Sequence, residues 1–285
     1  MIEISVFAPA KINLTLDVLS KRADGYHDLV SIMQTVSPSD TVNLRVGTGG
    51  PWKILCDAAN IPCDERNLAW KAAKVFCEAL CWDPQGLEIE IRKEIPSEAG
   101  LAGGSADGAA VLRGLNQCVD TPLSVEELAE LGAKIGSDVP FCVLGGTALC
   151  EGRGERMTAL DVDSKLCYVL CKPDLAFSTP KLFRKLDESV VTRRPDHEGM
   201  INALKKGDAQ RVGQLLCNVF EEAVLTDYSE ISVIKQMLLE HGACGAQMTG
   251  SGSVVFGVFS TMEQGILAQK AVKERFPNTF FCKTV

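Results

Sequence analysis

Four stretches of the chain bring together side chains and backbone suited to chemistry. The densest is Gly100-Leu101-Ala102-Gly103-Gly104-Ser105-Ala106-Asp107. It follows an alternating run that ends near Lys93 and leads into an alanine-rich run ending near Asn116. Glycines let a backbone approach a ligand closely and adopt positive φ. A helix start offers unpaired N–H groups and a partial positive charge, so the arrangement suits a phosphate chain. A tight strand-to-helix connection needs the same small residues for packing alone, and both readings stand at this point. The loop is not GxxxxGK[ST], GxGxxG or GxSxG, so the nucleotide-binding and hydrolase motifs of those forms gain no support. A second glycine cluster, Gly245 to Ser253, carries Thr249, Ser251 and Ser253. In Pro9-Ala10-Lys11-Ile12-Asn13-Leu14, the two-residue period puts Lys11 and Asn13 on one strand face. A solvated edge face is the ordinary reason for such a pattern. In Gly136-Ser137-Asp138-Val139-Pro140, the aspartate stands past a helix end and before a proline, in a rigid connection.

These residues need elements to hold them. Ile2, Ile4 and Val6 alternate with polar residues, and so, after Pro9, do Ile12, Leu14, Leu16 and Val18. The pattern predicts strands with one buried face. Asp24-Gly25 signals a turn, and Thr41–Val46 and Leu87–Lys93 read as further strands. Leu68, Ala72, Val75, Phe76 and Ala79 recur at helical spacing. Ser124 with Glu127 forms a capping box for a helix that stops at Gly136. Beyond about residue 160 the pattern changes. Strands are predicted over 166–171, 254–259 and 279–284. Helices are predicted around Leu204, over 212–220 and 231–239 with Gly242 as the stop, and over 261–276 before Pro277. The order predicts an α+β chain in two parts, 1–160 and 161–285, with a soft boundary near 150–165.

Composition narrows the function. Lys plus Arg is 29 against 37 for Asp plus Glu, a formal charge of −8. That balance disfavours nucleic acid and anionic membranes as partners, and any phosphorylated ligand must be held by a local site. No apolar run has the roughly 18 residues of a spanning helix, and the N-terminus lacks the form of a signal peptide. A cytoplasmic protein is therefore expected. The twelve cysteines include no CxxC and no zinc-ligand spacing, so they read as buried thiols.

The order Pro9–Leu14, Arg22-Ala23-Asp24-Gly25-Tyr26-His27, Gly100–Asp107, Ser137-Asp138-Val139-Pro140-Phe141 and Thr249–Gly252 resembles the GHMP kinases over residues 4 to about 260. Within them it resembles the branch acting on a cytidine-diphosphate ester of methylerythritol, in isoprenoid precursor synthesis. The resemblance implies a two-domain α+β fold, with an N-terminal domain like ribosomal protein S5 and a C-terminal ferredoxin-like plait. It implies an ATP-dependent small-molecule kinase, with Mg²⁺ accompanying ATP and a monomeric or weakly dimeric state. It implies that Pro96, Ser97, Glu98, Ala99, Gly100, Leu101, Ala102, Gly103, Gly104, Ser105 and Ala106 wrap the ATP phosphates, with Lys93 and Asn67 near the adenosine. Lys11 and Asp138 match the catalytic pair. Tyr26 and His27 match residues at the cytidine, Phe183 an aromatic stacked on cytosine, and Asn13 and Thr249 residues at substrate hydroxyls or phosphate. Ala106 stands where many relatives have serine, which removes one hydroxyl, and Gly108 where many have alanine. Two other readings remain. One is a GHMP kinase for homoserine, a mevalonate derivative or a sugar; the other is a catalytically silent nucleotide-binding protein of this fold.

Overall fold

The two alternating runs at the N-terminus form one strand, β1 (Ile2–Lys21), which passes through Pro9 without a break. Proline's fixed φ is compatible with extended backbone, and only its missing donor restricts it in a sheet. From Ala10 to Val18 every residue of β1 is buried. The alternation there reflects two covered faces, one apolar and one polar, and the solvated face expected for Lys11 and Asn13 does not exist. The computed structural model describes residues 1–162, 165–225 and 227–285. The chain divides into two units. The first holds Met1–Ala10, Pro38–Pro96 and Ala102–Gly145; the second holds Lys11–Ser37, Ser97–Leu101 and Gly146–Val285. β1 and the second long strand, β2 (His27–Val46), each contribute to both.

In the first unit β3 (Lys53–Cys56) runs parallel to β4 (Leu87–Arg92). β4 pairs antiparallel with β2 from Thr41↔Arg92 to Val46↔Leu87. Helix α1 (Leu68–Leu80) lies between β3 and β4 in the chain, and α2 (Gly103–Asn116), α3 (Val125–Ala133) and α4 (Val139–Leu144) follow. α1 buries Ala69, Ala72, Ala73, Phe76 and Cys77. α2 starts inside the small-residue stretch, so the loop is shorter than its composition suggests. The capping box of α3 has both arms: Ser124 Oγ accepts from the Glu127 N–H at 3.2 Å, and Glu127 accepts from the Ser124 N–H at 2.8 Å. The short α4, with Pro140 in its first turn, has no periodic signal long enough to read. Leu44, Phe76, Ile89, Ile91, Leu112 and Phe141 are fully buried.

In the second unit β5 (Thr147–Gly152) pairs with β2 from Leu29↔Gly152 to Gln34↔Thr147, and β6 (Arg156–Ala159) pairs with β5. There follow β7 (Cys167–Cys171), α5 (Thr179–Asp187), α6 (His197–Lys205) and α7 (Ala209–Leu215). The predicted helix over 212–220 is interrupted. Leu216 takes extended backbone angles, and β8 (Cys217–Asn218) pairs with β1 at Thr15↔Cys217 before α8 (Phe220–Val224) begins. α9 (Ser229–Glu240), β9 (Gly245–Met248), β10 (Val255–Phe259), α10 (Met262–Arg275) and β11 (Thr279–Lys283) complete the chain. The antiparallel sheet β11-β7-β10-β9 packs its apolar residues with Ile231, Ile234 and Leu238 of α9, Val272 of α10, and Leu16 and Val18 of β1. Among the described residues no helix is long and apolar enough to cross a membrane.

Candidate functional site

In the second unit the buried polar face of β1 is tied to the loop after β9. Lys11 is 4% exposed and Asn13 1%. Lys11 Nζ donates to Asn13 Oδ1 at 2.7 Å, which leaves Asn13 Nδ2 to donate to Ser31 Oγ at 2.8 Å. The Asn13 backbone N–H donates to Thr249 Oγ1 at 2.9 Å, and Thr249 Oγ1 donates back to Asn13 Oδ1 at 3.3 Å. Lys11, Asn13 and Thr249, separated in sequence by up to 238 positions, thus form one network. The loop around them is fixed by backbone. The Lys11 N–H donates to the Leu101 carbonyl at 3.1 Å, and the Val254 N–H to the Ala99 carbonyl at 3.1 Å. Asn218 Nδ2 donates to the carbonyls of Met248 and Gly250. Two glycines permit the close approach. Gly100 has φ +76° and a methyl group there would collide with the Thr249 carbonyl; on Gly250, at φ +56°, it would lie 3.3 Å from Lys11 Nζ.

Between Leu101 and Ala102 the chain passes from the second unit to the first, and there it starts α2. Ala102 is left-handed, at φ 59°, and no side chain caps the helix. The first helical bond runs from the Ala106 N–H to the Ala102 carbonyl at 2.9 Å. The N–H groups of Gly103, Gly104 and Ser105 precede it and stand at the positive end of the helix. α1, α3, α6, α7 and α10 have side-chain caps from Asn67, Ser124, Asp196, Asp208 and Thr261, whereas α4, α5, α8 and α9 share the uncapped start of α2. Of the expected adenosine residues, Asn67 is buried and spends Oδ1 on the Ala69 N–H at 2.9 Å and Nδ2 on the Pro62 carbonyl at 2.8 Å. Lys93 is half-buried with its side chain covered, its ammonium paired with Asp40 and with Asp107 at 2.7 Å. Asp138 is the residue before α4, also in the first unit; its carboxylate does not cap that helix.

A third group lies in the second unit. His27 Nε2 meets Asp187 Oδ1 at 2.7 Å, and Lys21 Nζ reaches the other oxygen at 3.1 Å. The bond from His27, then that from Lys21, holds the Asp187 carboxyl below the usual carboxylate range. A carboxylate only accepts, so Nε2 of His27 is the donor in this contact; in the neutral tautomer this leaves Nδ1 as an acceptor. Phe183 of α5 stacks on the His27 ring, with centroids 4.6 Å apart and planes 17° from parallel; Phe220 meets Phe183 edge-on. Tyr26 is 55% exposed, with the Arg153 guanidinium 5.0 Å above its ring.

The profile of the GHMP kinases N terminal domain matches residues 67–146, and that of the GHMP kinases C terminal matches residues 200–278. The chain belongs to the GHMP kinases. This GHMP kinase is 45% identical to the 4-diphosphocytidyl-2-C-methyl-D-erythritol kinase of Caldicellulosiruptor saccharolyticus, over 93% of this chain and 91% of that protein. It is 41% identical to the enzyme of that name from Clostridium acetobutylicum, over 99% and 100%. The crystal structure of a 4-(cytidine 5'-diphospho)-2C-methyl-D-erythritol kinase superimposes with TM-score 0.82 at 28% identity, covering 98% of each chain. Homoserine kinase from Cytophaga hutchinsonii has TM-score 0.80 at 21% identity, covering 99% of this chain and 94% of that one, a likeness of fold.

Several side chains that hold these groups are not legible in the sequence of this GHMP kinase. Asp40, Asp187, Ser31 and Asn218 stand alone among unremarkable neighbours, and only the pairing of distant segments gives them partners. Asp107 had a signal, an acidic residue in an otherwise small and apolar helix start, and burial of Lys93 beside it supplies the meaning.

Proposed function

We propose that this GHMP kinase transfers the terminal phosphoryl group of ATP to the 2-hydroxyl of 4-diphosphocytidyl-2-C-methyl-D-erythritol, in the non-mevalonate route to isoprenoid precursors. The observation that carries this reading is near-complete alignment, at 41–45% identity, with kinases of that name. In the reaction the alcohol oxygen bonds to the γ-phosphorus, the bond to the β,γ-bridging oxygen breaks, and ADP departs. Such transfers depend on in-line positioning and neutralised charge rather than on a covalent intermediate. Asp138 accepts the hydroxyl proton, and Lys11 favours the developing alkoxide. Asn13 and Thr249 orient the acceptor from the network they share with Lys11. Pro96 to Ala106 carry the phosphates, chiefly through backbone N–H groups at the start of α2, so Ala106 in place of serine is tolerated. Lys93 and Asn67 shape the adenosine end while bound to the partners described above.

His27 Nδ1 accepts from the cytosine amino group, while Tyr26 and Phe183 offer aromatic faces to the base. Among the described residues no cluster of three or more His, Cys, Asp or Glu side chains is arranged to hold a metal. In this reading Mg²⁺ accompanies ATP, held chiefly by phosphates and water. A functional division near 160 is part of this reading, supported by one family match at 67–146 and another at 200–278. Cytoplasmic residence is part of this reading, because the cysteines lack the pattern of a secreted disulfide framework.

The test is ATP consumption by the purified protein with cytidyl-methylerythritol diphosphate, homoserine and mevalonate as acceptors. Turnover with the first alone supports the reading. Turnover with another acceptor only, or ATP binding without turnover, overturns it.

A further inference from the structure

Three charges are buried together in the unit that contains α2. Lys93 Nζ donates to Asp107 Oδ2 at 2.7 Å and to Asp40 Oδ2, and the side chains of Lys93, Asp107 and Asp40 are 8%, 3% and 0% exposed. Asp40 is well supplied with donors, since its Oδ1 accepts from the N–H groups of Glu94 at 2.6 Å and Ile95 at 2.8 Å. Asp107 is not: its Oδ1 is buried without a hydrogen-bond partner. One ammonium and two carboxylates sum to −1 when all are ionised, in a place shielded from water. A buried anionic oxygen without a donor is costly, and a protonated carboxyl relieves it. Asp107 is the member placed to take that proton. Burial, opposed by Lys93 and assisted by Asp40, pushes its carboxyl up to about 7.

The cluster adjoins the start of α2. A methyl group on Gly103, the first residue of that helix, would lie 3.3 Å from Lys93 Nζ. A polyphosphate resting on the N–H groups of that first turn, as the proposed function requires, stands against the cluster. We propose that Lys93 and Asp107 are positioning residues of the nucleotide site, and that nucleotide binding draws a proton onto Asp107. The inference rests on the reading of α2 as the phosphate-binding helix. Polyphosphate repels a cluster of charge −1 and tolerates a neutral one, so the bound state favours protonated Asp107. With that proton in place, Lys93 keeps one counter-charge instead of two and adds its field to the positive end of the helix. The charged groups acting on Asp107 are Lys93, just after β4, and Asp40 of β2. α1 presents Leu68 to this part of α2, beside Gly108. Cys142 of α4 acts on Arg113, further along the helix.

The test is calorimetric titration of the full chain with Mg²⁺ and a non-hydrolysable ATP analogue, in two buffers of different ionisation enthalpy at about pH 8. The wild type is expected to take up a fraction of a proton per nucleotide, and Asp107→Asn none. Wild-type affinity is expected to fall roughly three- to tenfold from about pH 6.5 to about pH 8.5, as for a coupling of up to about one pKa unit. In Asp107→Asn it stays flat, and the KM for ATP loses the same pH dependence while kcat at saturating ATP does not follow. Binding without proton uptake in the wild type, or uptake unchanged in Asp107→Asn, overturns the inference and leaves the proposed function standing. Failure of the analogue to bind overturns both. Should Asp107→Asn not fold, the wild-type uptake decides alone.

Discussion

Lys11 carries its ammonium inside the protein, 2.7 Å from Asn13 Oδ1, where an ordinary structural lysine would reach for water. Asp138 precedes a helix that it does not cap. These placements, together with the motifs that carry the two residues, are the residue-scale case for the catalytic roles proposed for them. Lys11→Met and Asp138→Asn are each expected to lower kcat by about 10²–10⁴, the range for positioned acid–base groups, with circular dichroism unchanged. Near-wild-type turnover in either variant removes that residue from the mechanism. Asp107 gives a stability prediction with a definite sign. Its carboxyl, raised to about 7, keeps its proton in the folded protein where the unfolded chain has released it. Its favourable contribution is full below about pH 4 and is lost as pH rises to about 7, at about 1.4 kcal/mol per pKa unit. Asp107→Asn should therefore gain melting temperature relative to wild type between about pH 5 and pH 8. A difference that is constant across that range counts against a raised carboxyl.

At the scale of elements, the termini matter more than the interiors. α3 was legible down to its cap because Ser124 and Glu127 interact across three residues and need nothing from the rest of the chain. Ser124→Ala should cost about 1 kcal/mol of unfolding free energy in urea titrations and leave KM for both substrates alone. α2 is the opposite case: the sequence located it, but not the left-handed Ala102 at its start or the lack of a side-chain cap there. α5 had no clear signal, yet it carries Phe183 to the His27 ring and ends at Asp187. Asp187→Ala should raise KM for the cytidyl substrate several-fold, in line with the loss of a charged hydrogen bond of about 1.5–3 kcal/mol shared between orientation and binding. KM for ATP should not change. Equal effects on both substrates would indicate a general loss of structure.

Across the whole molecule, compactness and chain order do not coincide. β1 supplies Leu16 and Val18 to the core around α9 and the β11-β7-β10-β9 sheet, and it supplies the partner strand of β8. A fragment of residues 161–285 would lack these, exposing an apolar face and leaving β8 unpaired. It is expected to give the poorly dispersed amide spectrum of an unfolded or molten chain, while the full chain gives a dispersed one. A dispersed spectrum from the fragment would show that β1 is dispensable there. The charge of −8 bears on the same scale, because with the global field repelling polyphosphate, affinity must come from local N–H groups and cations.

Composition, two-residue and helical periods, the capping box and the ordered glycine, lysine and aspartate motifs were readable because each is local or repeats along the chain. They sufficed for an α+β GHMP kinase and for naming the segments proposed to bear its chemistry. The tertiary structure alone decided that the polar face of β1 is buried, and that Thr249 and Asn13 share one network. It also decided that Lys93 is locked between Asp40 and Asp107, and that His27 answers to Asp187. Each of these depends on charge and donor–acceptor matching between segments tens to hundreds of positions apart. Burial, which sets the strength of such pairs, has no local signature in a polar residue.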